Sequence, residues 1–123
     1  MKILVIEDND KNRWLLCDIL RYHKHEVIEA ANGEEGIEAA RLHKPSLILM
    51  DMQMPVMDGF TATKILKSDP QTCSIKIIAV TSFAMTGDRQ KVMESGVDDY
   101  VSKPVDTRAL PDLVKKYCTS GGV

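Results

Sequence analysis

The sequence predicts an α/β fold, (βα)5 and doubly wound, in which a five-stranded parallel sheet is flanked by five helices. Three observations point there. Apolar runs of strand length alternate with stretches of helical periodicity along the whole chain. The first two strong runs are unbroken rather than alternating, as suits strands buried on both faces of a parallel sheet. Turn residues fall between the elements, at Asn32-Gly33, Pro45-Ser46, Asp69-Pro70 and Ser95-Gly96.

In chain order, Ile3–Ile6 reads as the first strand, and residues 11–22 as a helix with an apolar stripe of Leu15, Leu16, Ile19 and Leu20. Trp14 on that helix is expected to be partly buried. Glu26–Ala30 is a weaker strand, followed by a helical stretch at 34–43. Leu47–Met50 is the third strand and 59–67 the third helix. Ile75–Val80 is the fourth strand and 87–95 its helix. A short strand near Tyr100-Val101 precedes a helix over 107–118, where Leu110, Leu113, Val114 and Tyr117 share a face. The polar residues beyond it, 119–123, are expected to form a flexible tail.

Composition narrows the class. The 123 residues suit one domain, 1–123, and 44% apolar with 28% charged residues is ordinary for a globular chain. Sixteen basic and 18 acidic side chains leave a net charge of −2. That balance lacks the basic footprint of a nucleic-acid binder. Cys17, Cys73 and Cys118 are an odd number, far apart and without a CxxC pair, so neither a disulfide framework nor a zinc site is indicated. No apolar stretch is long enough to span a membrane. The expected location is the cytoplasm, with no membrane insertion and no direct contact with nucleic acid.

In open parallel sheets, ligands bind outside the carboxyl ends of the strands. There the sequence places Glu7 and Asp8, Asp51, Thr81-Ser82, and Lys103-Pro104. If the first and third strands are neighbours, three carboxylates converge, and such a cluster calls for a cation. Oxygen ligands without His or Cys favour a hard ion, and few ligands with room for water favour Mg²⁺. Each residue also has a plainer reading. Glu7-Asp8-Asn9-Asp10 could cap the first helix, Asp51 could be a turn residue, Thr81 a hydroxyl bonded to backbone and Lys103 a solvated surface charge. Met52, Met54 and Met57 read as packing, and His23, His25 and His43 as residues of helix ends and turns. The conjunction at successive strand ends favours a site.

The stretches I-L-V-I-E-D-N at 3–9, L-I-L-M-D-M-Q-M-P-V-M-D-G at 47–59, A-V-T-S at 79–82 and Y-V-S-K-P at 100–104 resemble the receiver (phosphoacceptor) domain of two-component response regulators, with its CheY-like fold. The likeness runs from residue 2 to residue 117. F-A-M-T-G-D at 83–88 and G-V-D-D-Y at 96–100 look most like DivK-type single-domain regulators and the receivers of hybrid histidine kinases.

The resemblance implies roles residue by residue. Asp51 is expected to be the phosphoacceptor, taking a phosphoryl group from a histidine kinase or a histidine phosphotransfer protein in a Mg²⁺-dependent reaction. Asp8, Asp51 and the backbone carbonyl of Gln53 would bind Mg²⁺, with Glu7 doing so directly or through water. Lys103 would contact the phosphoryl oxygens, and Pro104 would set the Lys103–Pro104 peptide bond cis. Thr81 would hydrogen-bond the phosphoryl group while Tyr100 swings inward behind it. A protein-binding surface over residues 83–117, including Phe83 and Met85, would then change and recruit an effector, with room for a dimer formed on phosphorylation. The acidic pair departs from the family's usual Asp-Asp by its Glu7. Two other readings stand beside this one: a phosphate-independent interaction module, and a Mg²⁺-dependent phosphatase. The second lacks an acid two residues after Asp51, where Gln53 stands.

Overall fold

The computed structural model describes residues 1–81 and 88–121, with side chains for 1–81 and 90–117. The elements run β1 (Lys2–Ile6), α1 (Asp10–Tyr22), β2 (Glu26–Ala30), α2 (Gly33–His43), β3 (Leu47–Asp51), α3 (Gly59–Ser68), β4 (Lys76–Thr81), α4 (Asp88–Glu94), β5 (Asp99–Ser102) and α5 (Ala109–Gly121). They form one parallel sheet in the order β2-β1-β3-β4-β5. The chain winds outward to β2, then back across β1 to β3, so a crevice opens between β1 and β3 at their carboxyl ends.

Side-chain alternation along the strands splits the core in two. Leu4, Ile6, Ile48, Met50, Ile77 and Ala79 pack on one side with Ile37 and Ala40 of α2, Ala62 and Leu66 of α3 and Val92 of α4. Ile3, Val5, Leu47, Leu49, Ile78 and Val80 pack on the other with Leu16, Cys17 and Leu20 of α1 and Leu110 and Val114 of α5. All five residues of β3 are buried, which is why its apolar run does not alternate. Among the described residues, no helix is long and apolar enough to cross a membrane.

Several expectations shift in detail. The fourth strand begins at Lys76 rather than Ile75 and takes in Thr81. On α1 the buried residues are Leu16, Cys17 and Leu20, an arc of about 100°, and not the stripe containing Leu15. Cys17 takes the place expected of Leu15, which is 37% exposed. Trp14 lies outside that arc and is 65% exposed, so it is not partly buried as expected. α5 continues to Gly121, so residues 119–121 extend the helix rather than opening a tail, and 122–123 lie outside the described residues. So do residues 82–87, with the expectations for Ser82, Phe83 and Met85.

Candidate functional site

Four strands bring the polar residues together. Glu7 follows β1, and its N–H donates to Ala30 O of β2 at 3.1 Å, carrying the pairing one residue further. Asp51 is the last residue of β3 and Thr81 the last of β4. Lys103 follows β5, and its N–H donates to Thr81 O at 2.9 Å. Glu7, Asp51 and Thr81 are buried at 1%, 2% and 0% exposure. Asp8 is exposed, and one carboxylate oxygen from each of Glu7, Asp8 and Asp51 lies within 4.8 Å of the others. The acidic run after β1 divides its tasks. Asn9 caps α1 by accepting Asn12 N–H at 3.0 Å, and Asp10 occupies the first turn, so neither Glu7 nor Asp8 caps the helix.

Lys103 reaches into this cluster. Its Nζ donates to Asp51 Oδ1 at 3.1 Å and lies 3.4 Å from Glu7 Oε1. Asp51 Oδ1 also accepts Gln53 N–H at 2.9 Å. The Lys103–Pro104 peptide bond is cis. Burial pushes the Glu7 carboxyl up to about 8, and neighbouring Asp51 pushes the same way, since it accepts a hydrogen bond only from protonated Glu7; Lys103 opposes both. Burial also presses upward on Asp51, but hydrogen bonds from Glu7, Gln53 N–H and Lys103 outweigh it and hold the carboxylate below its ordinary value. For Lys103, burial pulls the ammonium downward, while the two carboxyls win and raise it. Asp51 therefore stays charged opposite a charged lysine.

The loop from β3 to α3 packs tightly under the site. Met52 and Met54 are buried and Met57 packs on the same core, so the methionines serve as filling. Asp58 caps α3 by accepting Thr61 N–H at 2.8 Å. Gly59 has no room for a side chain, because a Cβ there would meet Asp51 O at 2.5 Å and Met52 Cα at 2.6 Å. At the loop's tip Val56 is fully exposed with φ of 67°. A cleft of about 390 Å³ opens beside the cluster, with Glu7 and Lys103 on its polar wall and Leu15, Leu16, Val80 and Val105 on its apolar one.

A family model described as the response regulator receiver domain matches residues 3–115. The chain belongs to this family. It is 39% identical over 115 residues to the polar-differentiation response regulator DivK of Brucella anthropi, covering 94% of each chain. Among solved structures it resembles the receiver domain of a sensor histidine kinase from Pseudomonas aeruginosa, with a magnesium ion coordinated in its active site cleft, at TM-score 0.87 and 31% identity over 94% of this chain and 95% of that one. The chemotaxis protein CheY4 of Vibrio cholerae matches at TM-score 0.87 and 25% identity, over 94% and 97% of the two chains. The protein is thus a response regulator receiver domain of two-component systems with the CheY-like fold, a signalling switch.

Receiver domains bind Mg²⁺ at an acidic site, and the donors here suit such an ion. They are all oxygen, from two buried carboxyls and one exposed. Both oxygens of Glu7 are buried and accept no hydrogen bond, and Lys103 Nζ at 3.4 Å from Oε1 is an ion-pair partner, so the cluster keeps acceptor capacity that an ion could use. Of the residues singled out in the sequence, Glu7, Asp8, Asp51, the backbone of Gln53, Thr81 and Lys103 converge on the β1–β3 crevice and its β4–β5 side. Tyr100 stands apart, half-buried against the core cluster on the α4 side of the sheet. Arg13 is a residue that composition and spacing do not single out. Its Nη1 donates to Glu7 O at 2.8 Å, and a contact to a backbone carbonyl leaves no trace in sequence.

Proposed function

We propose that Asp51 is the phosphoacceptor of this receiver domain and takes its phosphoryl group from a phosphohistidine on a histidine kinase or histidine phosphotransfer protein. The observation that carries this reading is the position of Asp51: a buried, charged carboxylate at a strand end, beside Glu7 and Asp8 and bonded to Lys103 at 3.1 Å. Oδ1 is engaged by Lys103 and Gln53 N–H, so attack on phosphorus falls to Oδ2. The new O–P bond forms as the P–N bond breaks, the imidazole nitrogen keeps the bonding pair, and Asp51 becomes an acyl phosphate.

Asp8, Asp51, the Gln53 carbonyl and Glu7, directly or through water, would hold Mg²⁺. When bound, the ion neutralises charge on the transferring oxygens. Lys103 passes from the Asp51 carboxylate to a phosphoryl oxygen, as a point charge on a flexible stem can. Phosphorylation adds about 1.5–2 negative charges. Thr81 follows the phosphoryl group and Tyr100 turns inward behind it, which biases a two-state surface within residues 83–117 toward effector binding. The covalent chemistry is confined to the domain's own phosphoryl transfer and dephosphorylation, on one domain acting in the cytoplasm. A second copy of the chain is a further candidate for the altered surface.

Intact mass after incubation with acetyl phosphate tests the reading. The parent gains one phosphoryl group only with Mg²⁺, and Asp51→Asn gains none. Labelling of Asp51→Asn at the parent's rate would remove Asp51 from this role. A parent that binds Mg²⁺ but is never labelled would favour the phosphate-independent module.

A further inference from the structure

We infer that Arg13 is a positioning residue for the acidic cluster, acting through the backbone of Glu7; this rests on the reading of Glu7, Asp8 and Asp51 as the metal-binding carboxylates. Arg13 reaches out from α1 in three directions. Nη1 donates to Glu7 O at 2.8 Å, Nη2 to Asp10 Oδ1 at 2.6 Å and Nε to Glu29 Oε1 on β2 at 3.3 Å. Glu29 is itself held from the other side, its Oε2 accepting Arg21 Nη2 at 3.1 Å. Glu7 N–H is bonded to Ala30 O at 3.1 Å. The residue's backbone is therefore anchored at both ends, its donor by β2 and its acceptor by Arg13.

Glu7 C=O and Asp8 N–H share one planar peptide unit. Glu7 N–H lies in the preceding peptide plane, so the bonds to Ala30 O and from Arg13 restrain both planes that meet at the Glu7 Cα, and with them the direction in which the Glu7 side chain leaves the chain. The buried Glu7 carboxyl is thereby held beside those of Asp8 and Asp51, within 4.8 Å of each. Only a guanidinium has the forked donors to hold a carbonyl and two carboxylates together; a lysine offers one nitrogen.

The sign of the effect distinguishes positioning from charge. Arg13 is a cation close to a site for another cation. If its charge were all that mattered, removing it would tighten Mg²⁺ binding. If it positions the carboxylates, removing it weakens binding, and so does Arg13→Lys, which keeps the charge. Calorimetric titration with Mg²⁺ alone, on Arg13→Lys, Arg13→Met and Glu29→Gln alongside the parent, reads this directly, with thermal melts establishing that each variant is folded. Residues that orient metal ligands typically cost 10–100-fold in affinity when replaced. A loss of roughly tenfold is expected for both Arg13 variants and a smaller one for Glu29→Gln, which leaves Arg13 with fewer anchors. Folded Arg13 variants that bind within twofold of the parent, or Arg13→Met binding more tightly, would overturn the inference. A parent that binds no Mg²⁺ would overturn the reading beneath it.

Discussion

Lys103 Nζ stands 3.1 Å from Asp51 Oδ1 and 3.4 Å from Glu7 Oε1, so one ammonium serves two buried carboxyls. Lys103 and a divalent cation compete for the same oxygens, yet the proposed transfer needs both. Lys103→Met is therefore expected to move two observables in opposite directions. Mg²⁺ binding tightens, while labelling of Asp51 by acetyl phosphate slows roughly 10- to 100-fold, at or below the cost of losing one oxyanion donor. Calorimetry and timed intact-mass measurements check the pair; unchanged labelling would remove Lys103 from the transfer.

Two glycines near the site differ in what surrounds them. A Cβ at Gly59 meets backbone, 2.5 Å from Asp51 O, whereas a Cβ at Gly33 meets only side-chain atoms of Met57, with Sδ at 2.8 Å, Cγ at 3.0 Å and Cβ at 3.1 Å. Gly59→Ala is expected to cost about 1–3 kcal/mol and to slow phosphorylation by displacing Asp51. Gly33→Ala is expected to stay within about 1 kcal/mol of the parent. Urea unfolding of both variants gives the comparison, and equal costs would contradict it.

Val56 is β-branched, fully exposed and held at φ of 67°. Its side chain gains nothing from packing, and its backbone pays for a left-handed conformation. Asn tolerates that region better, so Val56→Asn is expected to add about 1 kcal/mol of stability. A denaturation midpoint at or below the parent's would show that the loop stores no such strain.

His25 is expected to make the fold sensitive to acid. Its Nδ1 is buried with no hydrogen-bond partner. Burial first, then nearby positive charge including that of His23, holds its pKa below the usual value. As pH falls, the unfolded chain takes up the proton before the folded one does. The stability contributed by neutral His25 is thus fully present well above the unfolded-state pKa of about 6.5 and is lost as pH drops through it toward the lower folded-state value. Compared with His25→Leu, the parent should lose stability between about pH 7.5 and pH 5.5. Parallel stability curves for the two would contradict this.

The legible parts of this fold were those where one physical cause dominates. β1 and β3 announce themselves because both faces are buried, and no polar residue interrupts them. β2 reads weakly because it is an edge strand, with the Glu26 and Glu29 side chains exposed. The sequence places the buried face of α1 one residue away because Cys17 and Leu15 are both plausible as core, and only packing decides between them. Asp51, Glu7 and Asp8 could be found because each ends or directly follows an apolar run. The grip of Arg13 on Glu7 could not, since any residue supplies the same carbonyl.

The sheet order also bears on how the chain behaves before it is finished. Among the described residues, no two neighbouring strands are joined by a hairpin; every parallel pair closes only after a helix has crossed over. In the native molecule the outer edges are guarded: β2 carries Glu26 and Glu29, and β5 is only four residues long. Those guards protect the edges and not the centre: until β1 and β4 pair with it, β3 exposes its Leu-Ile-Leu-Met run on both sides. The hazard of self-association therefore belongs to the emerging chain rather than to the finished protein. Conditions that slow the meeting of β1 with β3 should favour clumping even where native stability is unchanged.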